Sequence, residues 1–262
     1  MTTSYDRTGS GSPVVLVHGI GSRRQVFEPI VDRLAADHEV VSIDLPGFGR
    51  SKLPAGLTPD PVGYATWLRD FTTDLGLTRP HVVGNSLGGA IALELGRRGD
   101  AAAVTAFSPI GFWDSPGETW CRTLVGGAHS VLQTTWPGAS AATRLAPVRT
   151  LVMSAMVGRP WRIDVHEARG ALDALAHGPG FHDALDGFRN YRWSEDSDLG
   201  DLPRIPVTIA WGTRDVLLPH RTQASRARTT LTDATHVSLP GCGHVPFSDD
   251  PDLCARVIRT ST

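Results

Sequence analysis

Three residues far apart in the chain could together break an acyl bond. Ser86 lies in Gly84-Asn85-Ser86-Leu87-Gly88, a G-x-S-x-G pattern. A serine hydroxyl becomes a useful nucleophile only when a base takes its proton, and the chain holds ten histidines. The best placed is His244, in Gly241-Cys242-Gly243-His244-Val245-Pro246-Phe247, just past the last strand-like run. His236 falls inside that run and His220 opens a helix, which makes both weaker choices. The base in turn needs a group that fixes its tautomer and stabilises its charged form. Asp215 closes Trp211-Gly212-Thr213-Arg214-Asp215, where the carboxyl end of a strand would present it. A tetrahedral intermediate also needs N–H donors for its oxyanion. The backbone N–H of Leu87 supplies one, and Ile20 N–H, in His18-Gly19-Ile20-Gly21, supplies the second, with His18 and Gly19 shaping the loop.

Taken singly, each residue has a plainer reading: a serine in a glycine-rich turn, a loop histidine, an aspartate capping a helix. The elements around them decide otherwise. Short apolar runs recur, bounded by Gly and Pro: Val14–Val17, Val40–Ile43, His81–Val83, Ala103–Phe107, Val207–Ala210 and Thr235–Leu239. Continuous runs of this kind suit strands covered on both faces. Between them, Phe27–Ala36, Tyr64–Leu75 and Leu87–Arg98 carry apolar residues at helical spacing, with Glu94 as a polar interruption. Ser86 therefore falls between a strand and a helix, the turn that a G-x-S-x-G nucleophile requires. Strand–helix alternation predicts an α/β fold, a mostly parallel sheet of about seven strands with helices on both faces.

The alternation breaks between about Pro109 and Leu202. That segment reads as helices over Thr119–Leu132, Val148–Val157, Val165–Ala176 and Phe181–Trp193, punctuated by Pro137, Pro147, Pro160 and Pro179. Residues 109–202 are thus expected to form an inserted helical cap, on a core of residues 1–108 and 203–262. Five of the seven tryptophans lie in the insert: Trp113, Trp120, Trp136, Trp161 and Trp193. They could form the insert's own small core, or some could face a substrate cavity.

Composition narrows the function. With 25 basic and 27 acidic residues, no electrostatic footprint for nucleic acid or an anionic membrane is expected. Cys121, Cys242 and Cys254 fit no zinc spacing and are expected as free thiols in a reducing compartment. Met1–Ser12 lacks the apolar stretch of a secretory signal, and no apolar run is long enough for a membrane span, so a cytoplasmic protein is expected. No metal or organic cofactor is implied, and the oligomeric state stays open.

The motifs Val17-His18-Gly19, Asp44–Ser51, Gly84–Gly89, Trp211–Asp215 and Gly243-His244, in this order and spacing, resemble the α/β-hydrolase superfamily over nearly the whole chain. The serine–acid–histidine order is that superfamily's order. The resemblance implies cleavage of a carboxylic ester, thioester, lactone or amide through an acyl-enzyme on Ser86. It also implies that Ser51 is structural. Two departures stand out. Only a short Thr3–Arg7 strand fits before Ser12, so one usual strand is missing. Ser86 stands where dehalogenases and epoxide hydrolases of the superfamily carry aspartate. The first expectation is an ester or lactone with an apolar or aromatic part, a small-molecule substrate. Asn85 resembles the elbow of hydrolases that split carbon–carbon bonds of ring-cleavage diketones, but those usually have tryptophan soon after the histidine. Cofactor-free perhydrolysis uses the same triad. A ligand-binding receptor on this fold is the alternative from another class.

Overall fold

The computed structural model describes residues 3–189 and 191–261. Seven strands form one sheet: β1 (Tyr5–Gly9), β2 (Ser12–Val17), β3 (His38–Ile43), β4 (His81–Asn85), β5 (Ala103–Phe107), β6 (Val207–Gly212) and β7 (Thr235–Leu239). They lie in the order β1-β3-β2-β4-β5-β6-β7. Only β1 runs antiparallel, pairing Tyr5 with Ile43 and Gly9 with Glu39. This matches the expected mostly parallel sheet of about seven strands. β4, which leads to Ser86, is buried at every position.

The two-residue period of a strand sorts side chains to opposite faces. Val14, Leu16, Val83, Phe107 and Ala210 pack with α1 (Glu28–Ala35) and α9 (Pro251–Arg259). Val15, Val17, Val82, Val104 and Ala106 face the other way, onto α2 (Pro61–Asp74) and α3 (Leu87–Arg97). Each such buried Val, Leu or Phe side chain contributes about 1.5–3 kcal/mol by leaving water. The sequence reading assigns no element beyond Phe247, yet α9 is there. Asp250 caps it by accepting from Leu253 N–H at 3.0 Å, and Cys254, Val257 and Ile258 are its buried stripe.

Between β5 and β6 lie α4 (Ser115–Ala142), α5 (Ala146–Met153), α6 (Val165–His177) and α7 (Phe181–Asp186). Several boundaries differ from expectation: α4 starts at Ser115 and runs to Ala142, and α5 spans Ala146–Met153, ending short of Val157. Pro137 does not end a helix but sits inside α4. It is exposed, so the carbonyl it leaves unpaired can turn to water. α7 stops at Asp186, well short of Trp193, and residue 190 lies outside the described residues. Glu94, the polar interruption in α3, is 4% exposed and paired with Arg97 at 2.9 Å and with the Tyr191 hydroxyl at 3.2 Å. Among the described residues, no helix is long and apolar enough to cross a membrane.

Candidate active site

Ser86 joins β4 to α3 with φ 58° and ψ −115°. A non-glycine residue in this left-handed region costs of order 1–3 kcal/mol and persists only when its surroundings over-determine it. Here they do. Ser86 N–H donates to Phe107 O at 2.9 Å, and Ser86 O accepts from Ala90 N–H at 3.1 Å and Ile110 N–H at 3.2 Å. The glycines of the motif are required by space: a Cβ on Gly84 would lie 2.0 Å from Gly88 O, and one on Gly88 would lie 2.0 Å from Val17 O. The turn therefore packs against the end of β2, and the serine hydroxyl faces the loop that follows β2.

That loop is oriented by His18, which is fully buried. Leu45 N–H donates to His18 Nε2 at 2.9 Å, so Nε2 is the acceptor and Nδ1 carries the proton. Nδ1–H donates to Gly19 O at 2.7 Å. Burial lowers the pKa of this imidazole below the ordinary histidine value, in keeping with a neutral ring. In a trans peptide the carbonyl and the following N–H point opposite ways. Pinning Gly19 O on His18 thus aims Ile20 N–H away from it. Gly19 itself lies against the serine, since a Cβ there would be 3.0 Å from Ser86 Cβ. Leu87 opens α3, so its N–H is one of the first-turn donors that lack an intrahelical acceptor.

Asp215 and His244 meet although 29 residues separate them: His244 Nδ1 to Asp215 Oδ2 is 2.9 Å, with both side chains buried. Asp215 is held by a tight local turn in which Oδ1 accepts Leu217 N–H at 3.0 Å and Leu218 N–H at 2.8 Å. His244 follows β7 and is braced by Asn85, whose side-chain amide donates to His244 O at 2.9 Å and to Phe107 O at 3.1 Å. The two weaker candidates for the base are engaged elsewhere, while His166 lines the same cavity as His244. His220 Nε2 is paired with Ser238 Oγ, and His236 Nε2 with Leu231 O. Ser51 is structural: its Oγ accepts Ser4 N–H at 2.9 Å.

Ser86, His244 and Ile20 line one cavity of about 370 Å³. The segment between β5 and β6 gives it an apolar side through Val125, Met153, Met156, Val157, Leu172 and Leu175, and polar groups through Asp164, His166 and Glu167. Of the two readings of the insert's tryptophans, facing the cavity is not what the structure shows: none of the five lines it. Trp113 is buried and donates to Tyr191 O, Trp193 donates to the Tyr191 hydroxyl, and Trp136 packs edge-on against His177. Trp120 and Trp161 are more than half exposed. Indole groups that find hydrogen bonds within the insert have no reason to line its cavity. One buried carboxylate beside the site escapes sequence reasoning. Asp249, 1% exposed, bonds Gly243 N–H, next to His244, and Gly158 N–H of the insert. In the sequence nothing sets it apart from its neighbour Asp250, which caps α9.

A mostly parallel sheet, with a serine on a strained strand–helix turn and, lining the same cavity, a histidine that follows β7 and is paired to an aspartate after β6, defines a hydrolase-type α/β fold. The chain belongs to the alpha/beta hydrolase family, whose family model matches residues 14–257. It is 36% identical to a pimeloyl-[acyl-carrier protein] methyl ester esterase of Aeromonas salmonicida, covering 99% of this chain and 98% of that one. It is 30% identical to epoxide hydrolase EphH of Mycobacterium tuberculosis over 71% of this chain and 87% of that protein. In fold it is similar to a thermophilic esterase of Thermogutta terrifontis, with a TM-score of 0.75 and 24% identity, covering 98% of this chain and 92% of that one.

Proposed function

We propose that this hydrolase cleaves a carboxylic ester or lactone through a Ser86–His244–Asp215 triad and an acyl-enzyme. The carrying observation is the buried 2.9 Å bond from His244 Nδ1 to Asp215 Oδ2, with His244 and Ser86 on the wall of one cavity. With Nδ1–H bound to the carboxylate, Nε2 is left as the acceptor for the serine proton. Ser86 Oγ attacks the acyl carbon, and the N–H groups of Ile20 and Leu87 stabilise the oxyanion. His244 then protonates the leaving alkoxide. Water, deprotonated by the same imidazole, releases the acid.

The cavity favours a particular acyl class. Its apolar lining is aliphatic and thioether, with no Trp, Tyr or Phe among the lining residues, and Arg23, Asp164, His166 and Glu167 supply polar groups beside it. A flexible alkyl acyl group of medium length suits it, and the Aeromonas relative is by its name an esterase of a pimeloyl methyl ester. Serine in place of aspartate at position 86 argues against epoxide opening. Asn85, which suggested carbon–carbon cleavage, has its amide committed to two backbone carbonyls. The insert of residues 109–202 acts as a cap that closes the acyl cavity. The substrate is a small molecule or a carried acyl group, and the protein works in the cytoplasm.

The test is a panel of p-nitrophenyl esters of increasing chain length, simple lactones and a ring-cleavage diketone, run on wild type and Ser86→Ala. We expect ester turnover with a preference for medium alkyl chains, lost in the variant. Equal turnover by both proteins, or turnover of the diketone alone, would overturn the proposal.

A further inference from the structure

Asp249 is buried, yet its carboxylate takes three backbone donors from two distant parts of the chain. Oδ2 accepts Gly158 N–H at 2.7 Å and Gly243 N–H at 2.8 Å, and Oδ1 accepts Arg159 N–H at 2.7 Å. Its own carbonyl accepts from Arg159 Nη1 at 2.7 Å. Gly158 and Arg159 belong to the segment after α5, whose Met156 and Val157 line the acyl cavity. Gly243 precedes His244. One carboxylate oxygen thus bridges the cavity wall and the loop that carries the imidazole.

Further contacts run along the same seam. Val245 N–H donates to Met156 O at 2.8 Å, and Arg214 Nη1 donates to Gly158 O at 2.9 Å. Arg214 N–H, beside Asp215, donates to Cys242 O at 2.9 Å. The two segments approach too closely for side chains. A Cβ on Gly158 would lie 2.1 Å from Gly241 O, and one on Gly243 would lie 2.5 Å from Val157 C. The loops bearing Asp215 and His244 and the segment 156–159 are therefore packed as one body, with Asp249 at its centre.

We propose that Asp249 is a positioning residue for His244, holding the imidazole's loop in register against the cavity wall; this rests on His244 being the base. Charge-assisted bonds to backbone N–H groups are about twice as strong as neutral ones, and a displacement of about 1 Å at a catalytic group can cost about 100-fold in rate. Asp249→Asn keeps the shape but replaces one acceptor oxygen by an NH₂ group. At least one of the three backbone donors then faces another donor. Gly158 and Gly243 share Oδ2, so the orientation that loses fewer donors sets the NH₂ group against Arg159 N–H, weakens the neutral acceptor left for the other two, and shifts the wall against which the His244 loop packs.

The experiment compares wild type, Asp249→Asn, Arg159→Ala and His244→Ala on a short p-nitrophenyl ester, well below each protein's melting temperature. Asp249→Asn should lose about 10- to 100-fold in kcat with KM changed by less than about 3-fold. A purely structural role would lower the melting temperature and leave kcat at the wild-type value, which would overturn the proposal. Arg159→Ala removes only the tie to Asp249 O and should lose about 2- to 5-fold in kcat. If Asp249→Asn does not fold, wild-type kcat in Arg159→Ala overturns the proposal. His244→Ala keeps the two ideas apart. Activity surviving there ends the triad reading, whereas an inactive His244→Ala beside a fully active Asp249→Asn ends only the positioning role.

Discussion

Asp215→Asn should leave the fold nearly intact and remove most of the catalysis. The new side chain has one amide oxygen where the aspartate had two acceptors. If that oxygen takes the Oδ1 place, it keeps the Leu217 and Leu218 N–H groups, now at 3.0 and 2.8 Å. If it takes the Oδ2 place, it keeps only the His244 bond and leaves two buried donors facing an NH₂ group, at about 1–3 kcal/mol each. The first orientation wins by a few kcal/mol. Its NH₂ then points at His244 Nδ1, which must become an acceptor, so the imidazole proton moves to Nε2. An imidazole protonated at Nε2 cannot accept the Ser86 proton. A wrong tautomer of this kind costs about 10⁴-fold in kcat, or about 5 kcal/mol of barrier. KM should hardly move, because the Asp215 side chain is fully buried and does not line the cavity. The assay is steady-state hydrolysis of a p-nitrophenyl ester beside thermal unfolding, with the melting midpoint lowered by only a few degrees. Retention of kcat within about 10-fold in the folded variant would refute the tautomer argument.

Two further outcomes follow from buried histidines. His18→Ala frees Gly19 O, so Ile20 N–H is no longer aimed; kcat should fall about 10²- to 10³-fold, the usual cost of one oxyanion donor, and an unchanged kcat would remove Ile20 from that role. His81 is buried in β4 with Nε2 on Thr105 Oγ1 at 2.9 Å, and burial, with a smaller contribution from His38, lowers its pKa from 6.5 to about 4. Between those values the unfolded chain binds a proton that the folded one refuses, so this contribution is complete above pH 6.5 and is lost as pH falls toward 4. The loss is about 3 kcal/mol at most. Urea unfolding at pH ~7 and ~4.5 should show a smaller acid loss in His81→Asn than in wild type, and equal losses would contradict it.

What the sequence determined by itself is what short stretches of backbone encode. The runs Val14–Val17 and Ala103–Phe107 are strands because their residues suit a pleat buried on both faces. Gly84 and Gly88 frame Ser86 because no Cβ fits where the turn folds back on itself and meets the end of β2. Such constraints act over a few residues, so a pattern carries them, and the chain order of Ser86, Asp215 and His244 could be read with them. Tertiary structure decided what depends on the packing of distant segments. The sequence left open whether the tryptophans face a cavity; Trp113 and Trp193 found hydrogen bonds at Tyr191, Trp136 packs on His177, Trp120 and Trp161 stayed largely exposed, and Met153, Met156, Leu172 and Leu175 line the space instead. Pro137 was tolerated in α4 because its side of the helix meets water. The tautomer of His18 is fixed by Leu45, and Asp249 gains its partners from Gly158 and Arg159, about 90 residues away. A hydrogen bond across that distance leaves no local period or spacing in the sequence, because only the packed fold brings its two ends together.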